Sequence, residues 1–261
     1  MIEVGAKDGK VRLNLYWQCL REMEENYRMY LKLINGVYHV WGEQDGLPVS
    51  NSYPTNQWEK STVVRDRREI EVLPATPPGF YQIVIRLYDS DRDEWLSPLG
   101  QDELLIGPVE LPQREPPAIK ALDMEHPLEA ELESKVSLLG YNIESGFRPG
   151  DGIHLTFFWQ ALTKMEEDYT VFIHLIDEEG ELQGQKDSEP VDGFYPTTAW
   201  EAGEIVRDQY DLVISPEAPP GEYRIEVGMY LVETGERLEI VDREGKSMGS
   251  RVVLDRLKIG R

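Results

Sequence analysis

At 261 residues the chain is long enough for two compact domains, and an apolar share of 40% argues against disorder for most of it. Its 27 Lys and Arg stand against 49 Asp and Glu, a formal net charge of −22. Nucleic acid and anionic membrane surfaces are therefore poor partners, since both are held by cations that neutralise phosphate.

The same domain-sized text occurs twice, 142 residues apart and without a gap. Trp17-Gln18 returns as Trp159-Gln160, and Met23-Glu24-Glu25 as Met165-Glu166-Glu167. Tyr53-Pro54-Thr55 and Trp58-Glu59 return as Tyr195-Pro196-Thr197 and Trp200-Glu201. Arg65-Asp66 matches Arg207-Asp208, and Pro77-Pro78-Gly79 with Tyr81 matches Pro219-Pro220-Gly221 with Tyr223. Roughly a third of positions are identical between 11–90 and 153–232. A period this long marks a domain copied in tandem rather than a solenoid.

In chain order, Met1 to Lys10 comes first. Copy two places an apolar segment, residues 136–143, ahead of its first shared strand. Copy one is therefore expected to lack its opening strand, and the chain to be a fragment of a longer protein. Cys19 is the lone cysteine and aligns with Ala161, which excludes an intrachain disulfide and suggests a small buried apolar position. Copy one spans 1–111. Pro112 to Pro117 breaks both pattern and hydrophobicity, so 112–117 is a stiff linker and copy two spans 118–261. The best helix candidate is 126–134, one or two turns at most. Residues 153–159 alternate with Ile, Leu, Phe and Trp on one face, as a half-buried strand does. Residues 169–176 are apolar on most of both faces. Residues 204–214, 222–231, 237–241 and 251–259 give further strands, with a turn at Thr234-Gly235-Glu236. No apolar run approaches the 18–20 residues of a membrane span, so this stretch itself is expected neither to direct export nor to span. The fold class is all-β: two tandem antiparallel β-sandwiches, immunoglobulin-like or jelly-roll in order. In Pro-Pro-Gly-x-Tyr the prolines stop one ladder and Gly supplies the turn. The Tyr hydroxyl then needs a backbone partner, as at the corner of immunoglobulin-like sandwiches.

Candidate chemistry is sparse. Asp89-Ser90-Asp91-Arg92-Asp93 alternates acids like the start of a calcium loop. However, Glu94 replaces the turn glycine and Gly100 the bidentate Glu, so a solvated turn is expected. Glu24-Glu25 and Glu166-Glu167 are sequence neighbours before a strand and are expected in solvent, not facing each other across a cleft. Arg65-Asp66 and Arg207-Asp208 point to opposite strand faces and are expected in cross-strand ion pairs. The four histidines, at 39, 126, 154 and 174, have no metal spacing. The weak candidates for ligand binding are Tyr53, Trp58, Tyr195 and Trp200, whose rings could stack a sugar. Recurrence of the rings beside divergent polar neighbours favours instead a plug that fixes a long loop.

Together, Trp159-Gln160-Ala161, residues 165–175, Asp187-Ser188-Glu189-Pro190, Tyr195-Pro196-Thr197, Trp200, Gly203-Glu204 and Pro219-Pro220-Gly221-Glu222-Tyr223 form a recognisable set. The set resembles an extracytoplasmic β-sandwich domain. Such domains follow the membrane region of bacterial glycosyltransferases similar to dolichyl-phosphate-mannose protein mannosyltransferases. The resemblance covers nearly all of copy two. Copy one departs from it, with Asn35-Gly36 for Asp177-Glu178 and Lys60-Ser61 for Ala202-Gly203. It implies the fold, a place outside the cytoplasm and accessory status, with no catalytic residue; no metal or cofactor is expected. The expected function is thus a non-enzymatic module of a larger membrane-linked protein, partnering other parts of that protein or a glycan. The alternative is a carbohydrate-binding module built on the four rings, and a soluble glycan-processing enzyme is a third.

Overall fold

The computed structural model describes residues 2–36, 39–96, 103–144 and 146–260. Met1 and Gly100 lie outside them. The described residues form strands and short 3-10 turns, in two compact units, Met1–Arg114 and Glu115–Arg261. The division falls inside the proline-bearing stretch.

Unit one contains β1 (Ile2–Lys7), β2 (Lys10–Gln18), β3 (Tyr27–Ile34), β4 (Val40–Gly46), β5 (Val63–Glu71), β6 (Gly79–Asp89), β7 (Glu94–Leu96) and β8 (Leu104–Leu111). One sheet runs β1-β2-β5; the other runs β4-β3-β6-β7, with β8 also pairing β6. Unit two contains β9 (His126–Leu132), β10 (Val136–Ile143), β11 (Gly152–Ala161), β12 (Thr170–Ile176), β13 (Leu182–Ser188), β14 (Ile205–Val213), β15 (Gly221–Tyr230), β16 (Ile240–Val241), β17 (Ser247–Gly249) and β18 (Val252–Ile259). Its sheets run β14-β11-β10-β9-β16-β17 and β13-β12-β15-β18. All these ladders are antiparallel, and the shared strands keep one register. Leu13 faces Arg68 as Leu155 faces Tyr210, and Leu33 faces Ile83 as Leu175 faces Ile225.

Period-two patterning makes each sandwich. Val11, Leu13 and Leu15 of β2 are buried inward while Arg12 is exposed. Met29, Leu31 and Leu33 of β3 and Tyr81, Ile83 and Ile85 of β6 face them from the second sheet. In unit two Ile153, Leu155, Phe157 and Trp159 meet Val171, Ile173, Leu175, Ile225 and Val227. Tyr81 donates its hydroxyl to Pro77 O (2.8 Å) and Tyr223 to Pro219 O (2.5 Å), so the corner finds its backbone partner in both copies.

The structure corrects four expectations. Copy one does not lack its opening strand. β1 pairs β2, with Val4 opposite Leu13 as Ile143 is opposite Leu155, so residues 2–7 fill that place. The segment 126–134 is not a helix but the strand β9, which covers the edge of β10. Its polar and apolar residues alternate with period two, and Pro127 sits at the strand's start, where a missing N–H is tolerated. β11 is buried on both faces rather than one. The Arg207 guanidinium lies 4.7 Å from the Phe158 ring centre and donates to Leu122 O, so residues near 122 cover the outer side. Finally, Trp159 is fully buried but its twin Trp17 only partly.

Candidate functional site

The recurring Tyr-Pro-Thr-x-x-Trp loop is built alike in both units. A 3-10 turn, Thr55–Gln57 or Thr197–Ala199, swings the Trp indole back under the loop. Its Nε1 donates to the carbonyl of the motif Tyr at 3.0 Å in both, Trp58 to Tyr53 and Trp200 to Tyr195. The Tyr hydroxyl returns a bond to Gln57 O (3.2 Å) or Ala199 O (3.3 Å). The Thr hydroxyl ties this loop to the one before β3 or β12. Thr55 Oγ1 donates to Glu25 O (2.7 Å) and accepts from Tyr27 N–H (2.9 Å), and Thr197 repeats both distances with Glu167 and Tyr169.

Trp58 is 5% exposed, Trp200 0% and Tyr195 8%. Trp58 packs on Cys19 and Val64, with Trp17, Met23, Val49 and Tyr53 around them. The rings of Trp58, Trp200 and Tyr195 are used up inside the fold, and Tyr53 closes the same cluster. A sugar-stacking platform needs a free ring face, so the burial of Trp58, Trp200 and Tyr195 favours the plug for these three, while Tyr53 is half-buried. The Tyr195 hydroxyl also bonds the buried Glu204 carboxylate at 3.0 Å, and burial together with that charge pushes it well above an ordinary phenol.

The Arg-Asp pairs are also corrected. Asp66 and Asp208 are buried and hold a loop rather than a cross-strand cation: Asp66 Oδ1 accepts from Val49 N–H (2.8 Å) and Asp208 Oδ1 from Val191 N–H (2.7 Å). Both backbones sit in the left-handed region there, φ 51° at Val49 and 57° at Val191, where a β-branched residue is strained. The carboxylate bond compensates that strain. The copies differ in what balances the charge. Arg68 Nε donates to Asp66 at 2.8 Å, a buried ion pair. Tyr210 stands at the equivalent place, so Asp208 has two neutral donors instead, Tyr210 Oη (2.7 Å) and Trp159 Nε1 (3.1 Å). Burial without a cation, with Asp192 nearby, raises Asp208 to about 7. Arg207, also buried, is lowered to about 10 by desolvation. Arg65 reaches Asn14 across the strands at 3.0 Å.

Glu24, Glu166 and Glu167 are exposed, and Glu25 pairs with Arg92 at 2.5 Å. Asp89 is buried, not solvated, and its Oδ1 accepts the N–H groups of Asp91 and Arg92, fixing the β6–β7 turn. Among the described residues no group of three His, Cys, Asp or Glu is placed to hold a metal ion. His154 lies 2.9 Å from Asp211, His126 stacks on Tyr141, and His174 is lowered chiefly by burial.

An aromatic cluster went unread in the sequence. On the outer face of the β4-β3-β6-β7 sheet, Trp95 lies 5.0 Å from both Tyr30 and Tyr88, ring centre to ring centre. The Arg86 guanidinium sits 4.0 Å from the Trp95 ring centre, and Trp95 remains 45% exposed. These residues come from three strands and share no motif. The available signal was the divergence of two of them: Trp95 and Arg86 correspond to Arg237 and Gly228 in copy two, whereas Tyr88 recurs as Tyr230.

No family model matches the chain, and no curated protein matches it. Among solved structures, similarity is found to a glycosyl hydrolase family 2 member from Bacteroides cellulosilyticus DSM 14838. The two share 8% identity over 96% of this chain and 28% of that one, with a TM-score of 0.32. A Ruminococcus gnavus β-glucuronidase (9% identity, 96% and 36% covered, TM-score 0.24) and a putative β-galactosidase from Bacteroides fragilis (10%, 95% and 32%, 0.27) are also similar. The chain thus spans about a third or less of the length of these proteins.

Proposed function

We propose that the chain is a non-enzymatic accessory module, facing out of the cytoplasm, of a larger membrane-linked and glycosyltransferase-like protein. One observation carries the non-enzymatic part. The recurring polar groups, Thr55 and Thr197, Asp66 and Asp208, Tyr81 and Tyr223, each bond backbone and hold a loop or corner. A catalytic polar group would be turned toward a pocket, whereas these are committed to architecture. The strand order supports an immunoglobulin-like reading over a jelly roll. The first, second and fifth strands of unit one form one sheet, and the third, fourth, sixth and last meet in the other. The membrane-linked parent and the location rest on the motif resemblance.

The test is topological. Tagged within its parent protein, the chain should sediment with membranes and be cut by protease added outside intact spheroplasts. Recovery in the soluble cytoplasm, or protection until lysis, would overturn the assignment.

A further inference from the structure

We propose that the outer face of the β4-β3-β6-β7 sheet in unit one, centred on Trp95, binds a neutral oligosaccharide. This goes beyond the reading above and is independent of the membrane-linked parent.

The two copies make the case by contrast. In unit two the same face carries ion pairs. Glu226 is buried between Arg224 (2.8 Å) and Arg251 (3.2 Å), and Glu222 pairs with Arg256 at 2.9 Å. Phe172 packs against Gly228, where a Cβ would meet its ring at 2.7 Å, and the Arg237 guanidinium lies 4.0 Å from its ring centre. Unit one carries Phe80, Gln82, Val84 and Arg86 at the positions of Glu222, Arg224, Glu226 and Gly228. The ion-pair lattice is gone and an apolar strip replaces it. Phe80 is 62% exposed, Leu105, opposite Val84, 48%, and Trp95 45%. Part of this face recurs, with Tyr230 for Tyr88, Phe172 for Tyr30 and the exposed Val253 opposite Glu226 as Leu105 is opposite Val84. What is particular to unit one is Trp95, Arg86 and Phe80, where unit two has Arg237, Gly228 and Glu222.

The arrangement suits a sugar. Trp95 is held by Tyr30, Tyr88 and Arg86, so little freedom is lost when a ligand stacks on its exposed part. Groups that bond hydroxyls border the rings. Arg28 and Asp45 form a pair at 2.6 Å beside Tyr30, Asp93 bonds the Tyr88 hydroxyl, and Gln82 is exposed on β6. The Arg86 Nε–H is buried with no acceptor among the described residues. A pyranose offers the complement, an apolar C–H face and an edge of hydroxyls. Charge selects a neutral one. On this face the cations Arg28, Lys32 and Arg86 stand against the anions Glu43, Asp45, Asp93 and Glu110, the last opposite Phe80, so it has no excess of positive charge to hold an acid, and the whole chain at −22 repels acidic glycans.

The experiment is a printed array of neutral and uronic-acid-containing oligosaccharides, probed with the 261-residue chain. Titration calorimetry on the strongest neutral hit follows, with wild type, Trp95→Ala and Arg237→Ala. Light scattering monitors the oligomeric state of each. The proposal expects neutral hits, at least a tenfold loss of affinity in Trp95→Ala with melting temperature nearly unchanged, and no loss in Arg237→Ala. An empty array, hits confined to acidic glycans, or binding that survives Trp95→Ala would overturn it. So would a wild-type dimer that Trp95→Ala dissociates, which would assign the face to a second copy of the chain.

Discussion

The sharpest chemistry at the scale of single residues is one carboxyl in two settings. Asp66 has Arg68 as counter-ion, whereas among the described residues Asp208 has Tyr210, Trp159 and the Val191 N–H as its donors. Because Asp208 titrates near 7 when folded and from 3.8 when exposed, folding takes up a proton between those values. That contribution to stability is present at the acid end and is lost as pH rises through about 7. Protonated, Asp208 can give its hydrogen to Tyr210 and still accept from Trp159. In Asp208→Asn the side chain no longer titrates, but the amide sets an N–H against Val191 or Trp159. The variant should be less stable at pH 5, and the gap should narrow toward pH 8 in urea melts of residues 115–261. A gap independent of pH would show that Asp208 does not titrate in this range. Thr197→Val is expected to lower stability by about 1–3 kcal/mol, since the buried Tyr169 N–H then loses its acceptor. An unchanged urea midpoint would mean the two loops are held by something else.

Strands were legible in proportion to how strictly they alternate and how much they bury. Residues 153–159 and 169–176 announced β11 and β12. β13, Leu182 to Ser188, is an edge strand of mostly polar residues, so no apolar period marked it. β9 mixed Glu with Leu and Ala at spacings that also suit a helix, and only pairing with β10 decides between them. The loop motif was read correctly as a recurring unit because its Tyr, Pro, Thr and Trp are close in sequence. The Trp95 cluster gathers residues 30, 86, 88 and 95, which meet only once β3, β6 and β7 are paired. β1 was missed because its hairpin with β2 is tight, placing residues 2–7 where the copy-two alignment predicted none. Deleting residues 1–7 should therefore bare the edge of β2. Self-association in sedimentation velocity should rise, and the melting temperature should fall, relative to the intact chain. Equal behaviour of the two proteins would mean β1 contributes nothing to edge protection.

For the molecule as a whole, duplication separates two kinds of residue. What recurs, the corner tyrosines, the Thr bridges and the stapled tryptophans, builds one sandwich twice. What differs, the ion-pair lattice over unit two and the aromatic strip over unit one, lies on the outside and is free to serve binding. Three tryptophans test that division directly. Trp58→Ala and Trp200→Ala each remove a buried ring and its hydrogen bond, and should cost roughly 3–5 kcal/mol. Trp95→Ala removes a half-exposed ring and should cost no more than about 1 kcal/mol. Thermal denaturation of the three variants beside the parent chain is the measurement. Large falls in melting temperature for Trp58→Ala and Trp200→Ala, with Trp95→Ala close to the parent, are the expected result. Melting of Trp58→Ala or Trp200→Ala like the parent, or a fall as large for Trp95→Ala, would contradict the account.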